Sequence, residues 1–576
     1  MRARRAVPSL SIGRAGRRAF PPASRFLRPA LAALPLVFLA VFYFYPLASI
    51  FRLSLAPEGA LDLGALRKLA GSGYYLRTLW FTTWQAAVST ILTLGLALPA
   101  TYVFARYRFP GKGLLQAFTT IPFVLPTVVV AAAFGALLGP RGLLNGWLVA
   151  AFDLPQAPVR LQHTVWLILM AHVFYNYTVV LRLVGGFWAN LAPALPEAAR
   201  MLGASPWRTF WGVTFPLLRP ALLAAGLLVF IFSFTSFGVV LILGGPRYAT
   251  LEVEIYRQAV NLFNLPLAAA LSLVQILFTF GLMWAYTSLQ RRTSLPLDLK
   301  SRRSAQRRPG PGRERAWVAG NILLMVAMLG APLLALVWRS LSTGGGISLA
   351  YYAALFENRT RSVFFVPPIE AVGNSVGFAA ATVGLALILG LAAANLLAAR
   401  ANRLAALLDP IFMLPLATSA VTLGFGFIIA LDKPPLNLRT SLVLVPIAHT
   451  LVAFPFVVRS LLPALRSINP RLREAASLLG ASPWRVWREV DLPIVGRALL
   501  VGAVFAFTVS LGEFGATVFV ARPQTPTMPL AIFRFLGQPG PLNYGQALAM
   551  SSLLMLLTAA GFLAIERLRV GEVGEF

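Results

Sequence analysis

The chain of 576 residues has no cysteine, only three histidines, and 19 acidic residues against 50 basic ones. Without cysteine it cannot form a disulfide framework, a thiolate metal site or a cysteine nucleophile. Imidazole could come only from His163, His172 and His449. We find no paired carboxylates, metal-ligand spacing or nucleophile–base arrangement. The sequence therefore argues against an integral-membrane enzyme, and we predict no catalytic residue and no metal site.

Charge of either sign is scarce, whereas apolar residues are abundant. Charged residues make up 12% of the chain and hydrophobic residues 58%, with a mean hydropathy of +0.74. The apolar residues form blocks of about 20, the length that a helix needs to cross about 30 Å of hydrocarbon. Within lipid, a helix satisfies its own backbone hydrogen bonds. We predict an all-α integral membrane protein with about twelve transmembrane helices.

The apolar blocks fall into two sets of six, separated by a basic segment that contains Pro-Gly-Pro-Gly at 309–312. Proline and glycine at this density oppose helix formation and are typical of a flexible linker. The predicted spans are 30–53, 80–104, 115–138, 164–188, 220–244, 265–289, 317–342, 370–398, 408–431, 441–464, 494–520 and 546–566. The predicted domains are a basic arm (1–29), a first transmembrane domain (30–289), the linker (290–316), a second transmembrane domain (317–566) and a tail (567–576).

The net charge of +31 would suggest nucleic-acid binding in a soluble protein. Here the arginines lie between apolar spans, where they orient the protein and contact lipid headgroups, so we do not predict a nucleic-acid partner. The arm and the linker are the most basic segments, and the run from Ala30 to Leu53 is too long for a cleaved signal peptide. We therefore predict a multi-pass protein of the inner, cytoplasmic membrane with both termini and the linker in the cytoplasm. The connections near 54–78, 139–163, 245–264, 343–369, 432–440 and 521–545 would then face outwards.

The two halves repeat at a constant offset of 277 residues. Glu197-Ala198-Ala199 recurs as Glu474-Ala475-Ala476, and the stretch from Gly203 to Arg208 recurs, identical, from Gly480 to Arg485. At the same offset His172 corresponds to His449, Arg182 to Arg459, and Phe237-Gly238 to Phe514-Gly515. Because each unit has an even number of spans, both copies have the same orientation, as parallel repeats do around an axis along the membrane normal.

Each repeat has a polar segment between its fourth and fifth spans that reads EAA-x3-G-x9-V-x-[FL]-P, at 197–216 and 474–493. Glycine would end a first short helix in the left-handed conformation, and Ser-Pro would cap and begin a second one. We predict a helix-turn-helix lying flat on the cytoplasmic face. The alternative is an ordinary interfacial helix, but the duplication favours a docking element.

This pattern resembles the EAA loop of ATP-binding-cassette (ABC) importer permeases. The resemblance covers about residues 30–566 and implies a fused two-domain, type I-like permease subunit that is not itself an enzyme. It implies two ABC ATPase subunits as partners, one per loop, together with a periplasmic or lipid-anchored solute-binding protein and membrane lipid. ATP and magnesium would bind the ATPase; this chain has no phosphate-binding loop and no cofactor of its own. The implied ATPase-coupling residues are Glu197, Ala198, Ala199, Gly203, Ser205, Pro206, Pro216, Glu474, Ala475, Ala476, Gly480, Ser482, Pro483 and Pro493.

Fused permeases of this kind are typical of the branch that imports thiamine or ferric iron. The stretches 171–176, 237–246 and 252–256 resemble thiamine permeases more closely, so thiamine is the predicted solute. Ferric iron is the main alternative, followed by another small solute such as a polyamine or a phosphonate. A secondary transporter driven by an ion gradient would leave the duplicated loop unexplained.

Polar and glycine residues within the spans are candidates for the translocation path: Phe237, Gly238, Glu513, Phe514 and Gly515. A carboxylate within a span is costly and by default functional. Glu513 either faces a cationic solute or pairs with an arginine or with backbone groups. The Phe-Gly pairs either allow close approach at the axis between the halves or pack in an ordinary way. His172 and His449 are interpreted as packing groups, and Arg182 and Arg459 as side chains that reach the cytoplasmic surface.

Overall fold

The computed structural model describes residues 33–191, 194–293, 306–343, 346–358, 366–399, 403–434 and 436–569. The predicted basic arm at 1–29, the centre of the linker and most of the predicted tail lie outside the described residues.

The regular secondary structure of the described residues is helical apart from one ribbon of two short antiparallel strands, Ser342–Thr343 and Gly346–Ile347, and one isolated bridge between Tyr107 and Arg307. It contains 11 helices that are long and apolar enough to cross a membrane. A twelfth span is obtained if Leu407–Ala417 and Ala420–Ala430, which meet at a bend of 94°, are taken as one broken span. The predicted fold class, an all-α membrane protein with about twelve spans, is confirmed.

In the described residues, the first half is built mainly from α-helices. Their bounds are Tyr45–Leu55, Gly64–Gly71, Gly73–Arg106, Lys112–Val124, Thr127–Leu138, Leu143–Phe152, Val165–Asn190, Ala194–Met201, Pro206–Thr209, Phe215–Phe234, Gly238–Leu243, Leu251–Tyr256 and Leu265–Thr293. Three π-helical turns adjoin them, at Ala40–Phe44, Phe210–Thr214 and Arg257–Asn261.

Helices of the second half repeat most of this order. Their bounds are Arg313–Leu341, Ala350–Ala353, Glu370–Ala399, Arg403–Ala417, Ala420–Ala430, Leu444–Ser467, Pro470–Leu478, Pro483–Val486, Leu492–Gly512, Thr517–Val520, Met528–Leu536 and Pro541–Arg569. A π-helical turn at Trp487–Asp491 repeats the one at Phe210–Thr214.

Besides the predicted span 408–431, whose two helices meet at the bend of 94°, three predicted spans are not continuous helices. The predicted span 115–138 breaks at Leu125, whose extended conformation is the one favoured immediately before a proline. The predicted spans 220–244 and 494–520 end as helices at Phe234 and Gly512, just before the two Phe-Gly pairs. Hydropathy runs through these breaks unchanged, which is why the sequence predicted single helices there.

The two halves are interleaved rather than merely adjacent. The first span of the first half packs on Ala420–Ala430 of the second half, and the first span of the second half packs on Thr127–Leu138 of the first. In the first of these contacts a buried hydrogen bond of 2.6 Å joins the Tyr43 hydroxyl to Thr418 Oγ1. A Cβ added at Gly426 would lie 3.0 Å from Pro46 Cβ, so the helices are in close contact. Reciprocal contacts of this kind are what a pseudo-twofold arrangement requires.

The described end of the linker is attached to the first half. Arg307 donates a backbone hydrogen bond of 3.0 Å to the Arg106 carbonyl and accepts one of 2.9 Å from Arg108. Its guanidinium lies over the Tyr107 ring and forms an ion pair of 2.5 Å with Glu314. The seventh span begins at Arg313, within the range assigned to the linker.

We expect the halves to assemble without a covalent link. If residues 1–305 and 306–576 are expressed as two chains, the interleaved spans should hold them together, because each half buries an apolar helix face on the other. The measurement is recovery of the untagged fragment with the tagged one from detergent extract. Insertion of both fragments without co-purification would contradict this expectation.

Candidate functional site

The two EAA-type segments have matching backbone turns. In the first, the helix Ala194–Met201 ends before Gly203, which has a φ of +84°. In the second, the helix Pro470–Leu478 ends before Gly480, which also has a φ of +84°. This is the left-handed region, where glycine avoids the strain of a side chain. The predicted turn is therefore present in both repeats.

Serine caps the next helix in both segments. Ser205 Oγ accepts a hydrogen bond of 3.3 Å from the backbone N–H of Arg208, and Ser482 Oγ accepts one of 3.3 Å from that of Arg485. Proline occupies the first helical position after each serine. A side-chain oxygen in this place satisfies one of the free N–H groups at the helix start.

The second helix of each segment is not a separate short helix, as we predicted, but the beginning of the following span. Pro206–Phe234 forms one candidate span of 29 residues, with the π-helical turn at Phe210–Thr214 inside it. Pro216 has no N–H for the usual backbone bond, and such interruptions favour local π geometry. In the second half Pro493 follows the corresponding turn, and Pro483–Gly512 forms a candidate span of 30 residues. Each turn is thus joined through a continuous helix to the interior of the bundle.

The tip of each segment exposes large apolar side chains that our sequence analysis did not select. Met201 and Leu202 are each 89% exposed, and so are their repeat counterparts Leu478 and Leu479. The signal was present in the sequence as two apolar residues directly before the turn glycine in an otherwise polar segment. Exposed apolar groups at the same position in both repeats are candidates for contact with a partner.

The other predicted coupling residues surround these tips. Glu197 and Glu474 are exposed on the first helix of each segment. Trp207 and Trp484, next to the predicted Pro206 and Pro483, are 70% and 67% exposed. Ala198 and Ala475 are also exposed. Ala199 and Ala476 are half-buried. We call Met201, Leu202, Trp207 and their counterparts Leu478, Leu479 and Trp484 the apolar tips.

The two Phe-Gly pairs meet where the halves contact each other. The rings of Phe237 and Phe514 are stacked, with centroids 5.4 Å apart and planes at 25°. Tyr256 lies 5.6 Å from Phe237, and Phe533 lies 5.3 Å from Phe514. These pairs are repeat counterparts, so the pseudo-twofold axis passes between Phe237 and Phe514. We call the four rings the aromatic seam.

The glycines of these pairs are in close packing contacts. A Cβ at Gly238 would collide with the Thr127 side chain, and one at Gly515 would lie 3.1 Å from Ala420 Cβ. Thr127 and Ala420 begin the helices that follow the breaks in the third and ninth spans. The close approach that we considered for the Phe-Gly pairs is therefore present, within each half, next to the aromatic seam.

Glu513 follows the last helical residue of its span instead of lying within it. Its carboxylate is buried and accepts hydrogen bonds from the backbone N–H groups of Ala516 at 2.8 Å and Thr517 at 2.9 Å. The nearest cationic candidate is His449, whose Nε2 lies 3.4 Å away. Of the two interpretations of Glu513, these contacts favour pairing with backbone groups.

The two repeated histidines connect the fourth span of each half to the helix break beyond the fifth. His172 is hydrogen-bonded to Ser89 at 3.0 Å and to Ser236 at 2.8 Å. His449 is hydrogen-bonded to Ser510 at 2.7 Å and to Thr517 at 2.8 Å. Both imidazoles are buried and have partners on both nitrogens, as expected of packing groups.

Comparison with known proteins assigns a family to this arrangement. The family model described as "Binding-protein-dependent transport system inner membrane component" matches residues 97–295 and again 386–569. The "Probable ABC transporter permease protein y4fN" of Sinorhizobium fredii is 28% identical over 93% of this chain and 95% of its own length. The "Thiamine transport system permease protein ThiP" of Brucella abortus is 29% identical over 89% of this chain and 91% of its own. The "Putative 2-aminoethylphosphonate transport system permease protein PhnU" of Salmonella typhimurium is 30% identical over 47% of this chain and 95% of its own length.

Both family matches include one EAA-type segment, one turn glycine and one Phe-Gly pair, and together they cover more than half of the chain. The chain therefore belongs to the family of binding-protein-dependent transport system inner membrane components, and it carries the domain of that family twice.

Proposed function

We propose that this permease carries thiamine, handed over by a solute-binding protein, across the cytoplasmic membrane. The observation that carries the proposal is the similarity, over most of this chain, to permeases of the same fused length that are named for thiamine transport. The aromatic seam is suited to such a solute, because aromatic rings stack with a flat heterocycle and attract a cation.

The permease itself is not an enzyme; in its family, ATP is hydrolysed on a separate subunit. We propose that two ATPase subunits bind, one at each apolar tip, with Glu197 and Glu474 at the edges of the contacts. In this arrangement the termini and the linker lie on the ATPase side of the inner membrane. The binding protein docks on the opposite face.

The continuous helices give this arrangement a mechanism. A helix of 29 residues is about 44 Å long at 1.5 Å per residue. Pro206–Phe234 and Pro483–Gly512 each begin beside an apolar tip and end beside the aromatic seam. Closure of the ATPase dimer would shift both helix starts together, and the stiff helices would transmit the shift to the seam. The two halves would thus alternate between inward- and outward-facing states.

Reconstitution tests the proposal directly. The cognate binding protein, the ATPase and this permease are purified, and labelled thiamine is supplied outside vesicles that contain ATP. We expect the binding protein to retain thiamine, and the vesicles to accumulate it only with ATP and with all three proteins present. A binding protein that retains ferric iron, or an accumulation driven by an ion gradient without ATP, would contradict the proposal.

A second candidate solute is a small phosphonate. It is favoured by the similarity of half of this chain to the protein named for 2-aminoethylphosphonate transport. A competition experiment with the same binding protein decides between the two solutes. We expect unlabelled thiamine to displace the bound labelled thiamine, and we expect 2-aminoethylphosphonate not to displace it.

A further inference from the structure

Glu252 is a buried carboxylate at the contact between the two halves. It lies in the helix Leu251–Tyr256, within the connection 245–264 that the sequence placed on the outer surface, and is only 2% exposed. Its Oε1 accepts a hydrogen bond of 2.6 Å from Gln275 Nε2. The helix Leu251–Tyr256 also packs on the helix Ala420–Ala430 of the second half. Glu252 therefore lies on a helix that contacts both halves.

The polar groups around Glu252 include more hydrogen-bond acceptors than donors. Among the described residues no lysine, arginine or histidine forms an ion pair with it. Gln275 Oε1, on the amide that contacts the carboxylate, is also buried and has no hydrogen-bond partner. Acceptor oxygens thus outnumber donors in a buried place, where each unsatisfied group carries a free-energy cost. A ligand that brings positive charge or N–H donors would remove that cost.

Glu254, two residues away, shows that burial alone does not cause this imbalance. It is 1% exposed, and its carboxylate accepts hydrogen bonds from Tyr74 at 2.9 Å and Gln258 at 2.7 Å. Arg257 forms an ion pair with it at 3.4 Å. Glu254 is therefore a satisfied structural group, whereas Glu252 lacks a cation.

Glu252 also adjoins the aromatic seam. It precedes Tyr256 by four residues in a helical segment, which places both side chains on one face. The Tyr256 ring lies 5.6 Å from Phe237 and 5.8 Å from Phe519 of the second half. A carboxylate in the same region as several aromatic rings is suited to binding an organic cation, because the cation pairs with the carboxylate and is attracted to the rings.

We propose that Glu252 contacts the solute in the translocation path and binds the positive charge of an organic cation as it passes the aromatic seam. This inference rests on the proposed function, because thiamine has a cationic aromatic ring. In the closed arrangement the halves cover the carboxylate. When they separate, the solute's cation takes the place next to Glu252, with Tyr256 and Phe237 facing its ring. Gln275 holds the carboxylate in position.

The test uses the complete importer in vesicles, with thiamine as the probe, saturating loaded binding protein and ATP inside. Glu252→Gln keeps the size of the side chain and an acceptor oxygen for Gln275, and it removes the charge. We expect the maximal rate of thiamine uptake to fall at least tenfold, with more ATP hydrolysed per thiamine delivered. Glu254→Gln is the matched control: it removes an equally buried charge two residues away, and we expect it to lower thermal stability without raising the ATP cost per thiamine.

The outcomes separate the inference from the proposed function. If the unaltered importer does not accumulate thiamine, the proposed function fails. If it does, and Glu252→Gln transports at the same rate with the same ATP per thiamine, the inference is overturned. Equal losses of uptake and of ATP hydrolysis would indicate a structural role and would also overturn it. Should Glu252→Gln not retain the ATPase, Glu252→Asp decides: it keeps the charge but withdraws it by one methylene, and an unchanged uptake rate would refute solute contact.

Discussion

The double substitution Leu202→Glu, Leu479→Glu should remove the ATPase subunits from the purified permease. Both leucines are 89% exposed at the apolar tips. Burying a leucine against a partner stabilises a contact by about 1.5–3 kcal/mol. A carboxylate in its place adds the cost of burying an unpaired charge. A total of about 4 kcal/mol per site corresponds to a loss in affinity of about a thousandfold.

Co-purification of the ATPase with tagged permease from detergent extract is the measurement. We expect each single variant to retain part of the ATPase and the double variant almost none, and we expect Glu197→Arg with Glu474→Arg to weaken retention less. Leu349→Glu is the matched control, because Leu349 is 66% exposed in a connection predicted to lie on the opposite face. Full retention by the Leu202→Glu, Leu479→Glu variant would refute docking at the apolar tips.

Opening the aromatic seam should make the membrane leak. Phe237 and Phe514 are buried and stacked across the contact between the halves. Their replacement by alanine removes two rings from one place, and truncation of a buried aromatic residue typically costs about 3–5 kcal/mol and leaves a cavity. If the rings close the translocation path, that cavity connects its two ends. The Phe237→Ala, Phe514→Ala variant should then release thiamine from preloaded vesicles without ATP, at least tenfold faster than the unaltered protein.

The control for this variant is another aromatic stack. Phe456 and Phe505 lie 6.2 Å apart with planes at 8°, and both belong to the second half. We expect their replacement by alanine to lower stability without causing release. If both double variants release thiamine equally, the leak reflects loosened packing and the seam is not the barrier. If neither releases it, the path is closed elsewhere.

Much of the architecture could be predicted because hydropathy and duplication are global signals. The predicted span 441–464 corresponds to the helix Leu444–Ser467, and the predicted span 370–398 to Glu370–Ala399. The glycine turns at Gly203 and Gly480 were predictable because few residues other than glycine adopt a positive φ easily.

What could not be predicted depends on contacts between distant segments. The sequence from Phe234 to Leu243 is mostly apolar whether the helix ends at Phe234 or continues. Hydropathy therefore could not predict the break beside the aromatic seam. Glu252 was predicted to lie in an outward-facing connection because the spans alternate in direction from the basic cytoplasmic segments. Only the packing of both halves around it shows that it is buried.

The aromatic seam and its surroundings also have an evolutionary consequence. In a permease built from two identical chains, every side chain near the twofold axis appears twice. Two carboxylates there would repel each other, and one of them would take up a proton. In this chain the repeat counterpart of Glu252 is Pro529, and that of Glu513 is Ser236. Joining two copies in one gene has thus allowed mutation to place an acidic residue beside the axis without a second, repeat-related carboxylate opposite it, which is an arrangement that no symmetric dimer can encode.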